Sequence, residues 1–312
     1  MEQSTREAYG KTLVELGRQN PNVVVLDADL SKSTQTGLFG KEFPERFFNC
    51  GIAEQNMIGI AAGLAASGKT VFASTFAVFA PGRCFDQIRM SVAQPRQNVK
   101  IVTTHSGITV GEDGTSHHAI EDLALICSLP DFTVIVPADA IEAVQAIEVA
   151  AQTQGPFYIR LSRPKTPVIN TPDYKFTVGK ATTLKEGKDI TIIAIGIMVA
   201  FALEAAQSLA RDGIDCRVLN MSTVKPLDSD AITKVAVETG AIVTAEEHLR
   251  RGGLGSAVAQ IVAENLPVPM SFVALNDVYA KSGKAEELLQ RHKLTAADIE
   301  ATARSLLTRK RQ

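Results

Sequence analysis

The sequence predicts an α/β protein of two domains, each built on a mostly parallel sheet flanked by helices. Three observations carry that prediction. Short runs such as Asn22–Leu26 and Ile190–Ile195 are nearly continuous in apolar and β-branched residues rather than alternating, the mark of strands buried on both faces. These runs alternate with helical stretches, as βα units require. The alternation stops between Pro164 and Lys188, where Pro164, Pro167 and Pro172 stand among Lys and Thr, and then restarts. At 312 residues the chain is also too long for one ordinary core. Residues 1–165 and 190–312 are therefore expected as two domains, joined by a linker at 166–189 with room for a short edge strand.

Thr5–Gln19 is predicted helical, with Ser4 or Thr5 as N-cap and Leu13, Val14 and Leu16 on the inner side. The strand Asn22–Leu26 ends in Asp27-Ala28-Asp29-Leu30-Ser31. A helix follows over Gly51–Ala66. Between Gln55 and Ala66, Met57, Ile58, Ile60, Ala61, Ala62, Leu64 and Ala65 leave it almost no polar circumference. Such a helix is buried in a core or an interface, and Gly51, Gly59 and Gly63 let another backbone approach closely. Glu54, at the helix start, is expected in a poorly solvated place where a carboxylate needs a partner. Complementing the helix dipole explains a first-turn Glu equally well, and this stretch alone does not decide.

Ser67-Gly68-Lys69 turns into a strand at Thr70–Phe76. Then come a helix Phe79–Val92, a strand Val99–Thr104, a glycine-rich loop His105–His118 and a helix Ile120–Cys127. Strand Thr133–Val136, helix Ala140–Gln152 and strand Phe157–Leu161 close the first half. The second half reads as strands Ile190–Ile195, Cys216–Met221, Ala241–Ala245 and Met270–Ala274. Its helices are Val199–Asp212, Ser229–Glu238, Leu254–Glu264, Lys284–Arg291 and Thr295–Leu307, and Arg309-Lys310-Arg311 reads as a solvated helix end.

Hydrophobic residues at 45% and charged residues at 21% are ordinary for a soluble globular protein. A net charge of −2 gives no reason to expect a nucleic-acid partner. Cys50, Cys84, Cys127 and Cys216 lack ligand spacing and read as buried thiols of a reducing compartment. The polar N-terminus carries no apolar signal region, and no apolar run is of membrane-spanning length. A cytoplasmic protein without a membrane or nucleic-acid partner is expected.

Three motifs mislead. Gly63-Leu-Ala-Ala-Ser-Gly68-Lys69-Thr70 spells a phosphate loop, but such a loop needs a strand before it and a helix after it, and here the order is inverted. Asp27-Ala-Asp29-Leu-Ser31 suits an aspartyl-phosphate phosphatase, yet its later acidic pair could only be Glu246-Glu247, in the other predicted domain. Arg251-Gly252-Gly253-Leu254-Gly255-Ser256 could hold an anion at a helix entry, although tight packing explains it as well.

The remaining signals lie beyond strand ends, where α/β folds place chemistry. They are the Asp27–Ser33 loop, the aromatic pair Phe76 and Phe79, and the His105–His118 loop, which concentrates three of the five histidines beside acidic and glycine residues. With Glu54 they suggest a polar site for acid–base work.

Phe-Asn-Cys-Gly-Ile-Ala-Glu54-Gln-Asn-Met, Ser-Thr-Phe76-Ala-Val-Phe79, Val-Gly-Glu-Asp113-Gly-Thr-Ser-His117 and Leu-Ser-Arg163 together resemble the C-terminal half of transketolase. Val278-Tyr-Ala-Lys-Ser-Gly283 resembles the end of that family. The resemblance covers essentially the whole chain, a pyrimidine-binding domain and then a C-terminal domain, and the length suits the separate C-terminal subunit of a split transketolase.

The resemblance implies thiamine diphosphate as cofactor and Glu54 as the catalytic glutamate, which hydrogen-bonds N1′ of the aminopyrimidine and so promotes loss of the thiazolium C2 proton. It implies Phe76 and Phe79 as the aromatics packing the pyrimidine, and Asp29 as a cofactor-side aspartate. His105, Asp113 and His117 would contact sugar hydroxyls, the two histidines also serving catalysis. Arg6, Ser33 and Arg163 would anchor the sugar phosphate, an anion that suits arginine's planar fork. Two departures stand out. Thr115-Ser116-His117 replaces the usual Pro-Thr-His, and Gly17 stands where some members place an aromatic. The family's diphosphate site, Gly-Asp-Gly followed by Asn, is not spelled in this chain, and Gly111-Glu-Asp-Gly114 is not that motif.

The resemblance therefore implies an N-terminal, diphosphate-binding partner subunit holding most of the Mg²⁺ (or Ca²⁺) coordination, in an α2β2 heterotetramer acting on sugar phosphates. Alternatives that keep the cofactor are the C-terminal part of a deoxyxylulose-phosphate synthase and the β chain of a 2-oxo acid dehydrogenase. A non-catalytic regulatory subunit is the alternative of another class.

Overall fold

The computed structural model describes residues 2–310. A two-residue strand β1 (Glu2–Gln3) leads into α1 (Thr5–Gln19), where the Ser4 hydroxyl accepts the Glu7 N–H at 3.3 Å. Tyr9, Leu13 and Leu16 are buried on its inner face, each burial worth roughly 1.5–3 kcal/mol for a large apolar side chain. Val14 is only half-buried. Strand β2 (Val23–Asp27) is buried at every residue.

The stretch after β2, which the sequence left without elements, holds α2 (Ser31–Thr34), α3 (Gly37–Glu42), a 3-10 turn at Pro44–Arg46 and β3 (Phe47–Asn49). Each is too short to carry a hydrophobic period. Asp27 organises the start of this stretch, accepting from Leu30 N–H at 2.5 Å, Thr34 Oγ1 at 2.7 Å and Thr36 Oγ1 at 2.8 Å. A fully buried carboxylate so committed is a structural hub, not a phosphoryl acceptor.

Next come α4 (Glu54–Ala66), β4 (Thr70–Phe76), α5 (Phe79–Gln87) running on as a π-helical turn at Ile88–Ala93, and β5 (Val99–Thr104). After these, α6 (Asp122–Cys127), β6 (Thr133–Ile135), α7 (Ala140–Gln152) and β7 (Phe157–Arg160) continue the alternation. The helix-then-strand order around Gly63–Thr70 removes the phosphate-loop reading. One face of α4 is buried through Met57, Ile58, Ala61 and Ala65. Gln55, Asn56, Gly59, Ile60 and Gly63 are exposed on the single chain, so the helix is not buried all round within it.

The proline-rich stretch holds two short strands, β8 (Thr166–Pro167) and β9 (Thr182–Lys185). The second half contains β10 (Ile190–Ala194), α8 (Met198–Arg211), β11 (Cys216–Asn220), β12 (Thr223–Lys225) and α9 (Ser229–Thr239). It ends with β13 (Ile242–Leu249), α10 (Leu254–Asn265), β14 (Met270–Leu275), α11 (Ala285–Arg291) and α12 (Ala296–Lys310). Lys310 is no simple solvated end. Its Nζ donates to the Thr239 carbonyl at the end of α9, at 2.5 Å, and to Asp189 O at 3.0 Å. Arg309 is exposed, and Arg311 lies outside the described residues.

The strands form a seven-stranded sheet, β12-β6-β7-β5-β4-β2-β3, and a five-stranded sheet, β14-β13-β10-β11-β9. Both are parallel except at one edge: β12 runs antiparallel to β6, and β9 antiparallel to β11. β1 pairs antiparallel with β8. The chain of the second sheet thus lends β12 to the first. Apolar packing is continuous too, because one buried cluster runs from Met57 and Ile88 through Leu123 and Val134 to Leu219, Ile232 and Leu254. The strand order reverses between β2 and β4, the point beside which α/β sheets place chemistry at their carboxyl ends.

Candidate active site

The site residues gather at the carboxyl ends of the first sheet, with β4 ending in Phe76, β5 leading into His105, and β7 running on to Arg163. Glu54 opens α4 and is only 4% exposed. Its partner is Arg83 on α5, whose Nη1 donates to Glu54 Oε1 at 2.8 Å. The same guanidinium lies over the Phe79 ring, Cζ 3.9 Å from the centroid.

Four rings make the wall beside it. Phe76 and Phe79 stack with centroids 5.9 Å apart, and His105 stacks on Phe76 at 3.9 Å. His117 meets Phe79 edge-on at 5.3 Å. His105 takes an uncommon backbone conformation, φ +58°, and its Nδ1 is 2.8 Å from Thr104 Oγ1. Burial, then the neighbouring Arg6, Arg163 and His117, pushes its pKa down to about 3. A neutral imidazole at pH 7 results, able to exchange hydrogen bonds with hydroxyls on either ring nitrogen. His117, half-buried, has Nδ1 2.9 Å from Ser116 Oγ.

Two cations lie near His105. Arg163 Nη1 donates to the Val110 carbonyl and reaches Asp113 Oδ2 at 3.3 Å, a half-exposed pair that is weak in water. Arg6 Nη1 donates to Ser33 O at 2.8 Å, while its buried Nε has no partner among the described residues. A neutral histidine near two guanidinium groups suits an anionic, hydroxylated ligand.

Glu54, Phe76, Phe79, His105 and His117 thus converge, with Arg6–Ser33 and Arg163–Asp113 beside them. Asp29 stands two residues past the end of β2. It is exposed, at φ +65°, and exchanges two hydrogen bonds with Asn49: its N–H donates to Oδ1 at 3.1 Å, and its Oδ1 accepts from Nδ2 at 3.0 Å. Gly17 faces Phe39 and Phe43, where a Cβ would lie about 2.5 Å from ring atoms, so packing demands the glycine. The amides at the start of α10 are occupied from within, since Glu246 accepts from Leu254 N–H at 2.7 Å and Gly255 N–H at 2.8 Å. Sequence reasoning missed Arg83 and Thr104. Arg83 carries a signal, as the one basic residue in Phe79–Gln87, one helical turn past Phe79. Thr104 carries none.

Comparison with known proteins agrees along the chain. The transketolase pyrimidine-binding domain matches residues 1–168, and the transketolase C-terminal domain matches residues 179–299. A protein of Methanocaldococcus jannaschii described as a transketolase C-terminal section is 49% identical over 94% of this chain and 93% of its own length. The 6-deoxy-6-sulfo-D-fructose transketolase subunit SqwH of a Clostridium species is 42% identical over 98% and 95%. The chain spans about half the length of other relatives, such as human transketolase, 41% identical over 98% of this chain and 49% of that protein. Among solved structures, a split-gene transketolase described as an inactive β4 tetramer superposes with a TM-score of 0.92, at 54% identity over 98% of this chain and 99% of that one. Transketolase of Campylobacter jejuni gives 0.83 at 26% identity over 97% and 47%. This chain belongs to the transketolase family, carrying that family's pyrimidine-binding and C-terminal domains.

Proposed function

We propose that this chain is the C-terminal subunit of a two-chain transketolase. The complete enzyme moves a two-carbon ketol unit from a ketose phosphate to an aldose phosphate. The carrying observation is the chain of contacts from buried Glu54 through Arg83 to the Phe76–Phe79 stack and on to neutral His105. Family membership implies thiamine diphosphate. A dry carboxyl beside an aromatic pair fits its aminopyrimidine end. The Mg²⁺-diphosphate end is assigned to an N-terminal partner subunit in an α2β2 assembly.

When bound, thiamine diphosphate supplies the nucleophilic carbon and the electron sink for cutting and remaking a C–C bond. This chain supplies the groups around the pyrimidine and the sugar. Glu54 holds a proton at the pyrimidine ring nitrogen N1′. Phe76 and Phe79 cover the ring and exclude water. His105, His117 and Asp113 hydrogen-bond sugar hydroxyls, while Arg6, Ser33 and Arg163 seat the terminal anion. The separate-subunit relatives favour the split arrangement over a deoxyxylulose-phosphate synthase or a dehydrogenase chain. The sulfo-sugar in the name of the Clostridium subunit favours a donor with an anionic end.

The test is reconstitution. Purified alone, the chain is expected to bind thiamine diphosphate weakly with Mg²⁺ in excess and to show no ketol transfer. Adding a chain with Gly-Asp-Gly…Asn restores both. Turnover by this polypeptide alone overturns the proposal.

A further inference from the structure

Three polar residues in a row, Glu246, Glu247 and His248, lie buried on β13. Glu246 caps α10, as described. Glu247 reaches the other way, into the loop that carries the site histidines. Its Oε1 accepts the Thr109 N–H at 2.6 Å, between residues 138 positions apart. Its carboxylate also fills the space beside Gly107, where a Cβ would lie 2.0 Å from the carboxyl carbon. Gly107 sits at φ +71°, a second reason for glycine there.

The same place ties down the other end of the loop. Gly107 N–H donates to Ala119 O at 2.9 Å, and Arg160 Nη2 donates both to Ala119 O at 2.9 Å and to the main-chain oxygen of Glu247 at 3.1 Å. Asp122 holds that guanidinium through bonds of 2.8 and 3.1 Å. Leu249 N–H donates to Ile120 O at 2.8 Å. Farther along the loop, Thr115 Oγ1 donates to Ala280 O, and Ser282 Oγ covers Gly114. Residues of the second half therefore grip the His105–His118 loop at its base and near its tip.

We infer that Glu247 is a positioning residue for the active site: its carboxylate sets the 107–109 turn and so the seat of His105 against Phe76. The inference rests on the transketolase reading of that site. Without the carboxylate, Thr109 N–H is left buried and unpaired, and Gly107 borders a void, so the turn that follows His105 loses its template. Glutamine keeps an acceptor oxygen of the same reach, and alanine does not.

The experiment uses wild-type, Glu247→Ala and Glu247→Gln chains, with Leu209→Ala in the α8 core as a control for plain destabilisation. Hydrogen exchange is measured on the subunit alone, and donor kcat and KM on the complex with the partner chain. Glu247→Ala is expected to speed amide exchange across 107–115 by about tenfold or more, and to lower kcat/KM by a similar factor. Glu247→Gln restores both to near wild type, and Leu209→Ala leaves loop exchange at its wild-type rate. Unchanged exchange and kinetics in a folded Glu247→Ala chain overturn the inference, as does failure of Glu247→Gln to restore them. Should Glu247→Ala not fold, Gly107→Ala, which drives a methyl group into the same carboxylate, is expected to give the faster exchange instead. Wild-type activity in that variant overturns the inference equally. If no wild-type complex transfers ketol units, the functional reading fails, while the exchange result still stands or falls by itself.

Discussion

Arg83 joins Glu54 to the aromatic wall, with Nη1 2.8 Å from Glu54 Oε1 and Cζ 3.9 Å over the Phe79 ring. The two partners differ sharply in solvation, Glu54 at 4% side-chain exposure and Arg83 at 46%. A carboxylate taken that far from water needs a charge-bearing donor, and the half-exposed arginine provides one. Arg83→Met is expected to cost on the order of 1 kcal/mol, well below a fully buried pair because solvent screens the arginine. In a Glu54→Gln background the same change is expected to cost less. Equal losses in the two thermal-melt series would show that the pair contributes nothing.

Glu54→Gln keeps the shape at the start of α4 and removes the ability to share a proton. Folding should survive, while release of the C2 proton in the reconstituted complex slows by about 100-fold or more. H/D exchange at C2 measures it, and a near-normal rate would remove Glu54 from the catalytic role.

Arg163 is tethered at Val110 and Asp113 yet remains about 41% exposed, so its fork is open to a ligand. Arg163→Ala should raise KM for phosphorylated donors by roughly ten- to a hundredfold, the worth of a charge-assisted contact. Hydroxypyruvate, which lacks the phosphate, should be much less affected. Matching losses with both donors would make Arg163 structural.

The regular elements were legible where the signal is local. Strands Thr70–Phe76 and Val99–Thr104 and helices Thr5–Gln19 and Ala140–Gln152 fall where β-branched runs or capped apolar periods put them. The miss at the end of β13 has a different cause. Glu246-Glu247-His248 looks like a loop, and it continues the strand because Arg160, Thr109 and the start of α10 satisfy its polar groups from elsewhere in the chain. β12 was missed likewise, since its three residues are defined by antiparallel pairing with β6, from the other half. In the site, Glu54 and the histidine loop stand out by residue type. The linkage of Arg83 to Glu54, like that of Glu247 to Thr109, exists only once the fold is closed.

Glu247 also makes stability depend on pH in a defined direction. Burial pushes its pKa up to about 7, against the opposing pull of Arg160 and the Thr109 N–H, and burial does the same to Glu246. His248, beside them and facing Asp122 and Arg160, is pushed down to about 4 by burial. For each glutamate the folded chain retains a proton that the unfolded chain releases from about pH 4.5 upward, so its contribution to stability falls as pH rises to about 7. The histidine acts oppositely. The unfolded chain binds a proton below about pH 6.5 that the folded chain refuses until about pH 4, so its contribution grows as pH rises through that window. Net curves of the wild type blend these slopes, and a difference curve separates them. Glu247→Gln cannot titrate, so its unfolding free energy relative to wild type should climb between about pH 4.5 and 7, by at most about 1.4 kcal/mol per pH unit for one proton. Above pH 7 the difference should level off. A difference curve that stays flat from pH 4.5 to 7 would mean that Glu247 enters the fold already ionised, with Arg160 compensating its burial.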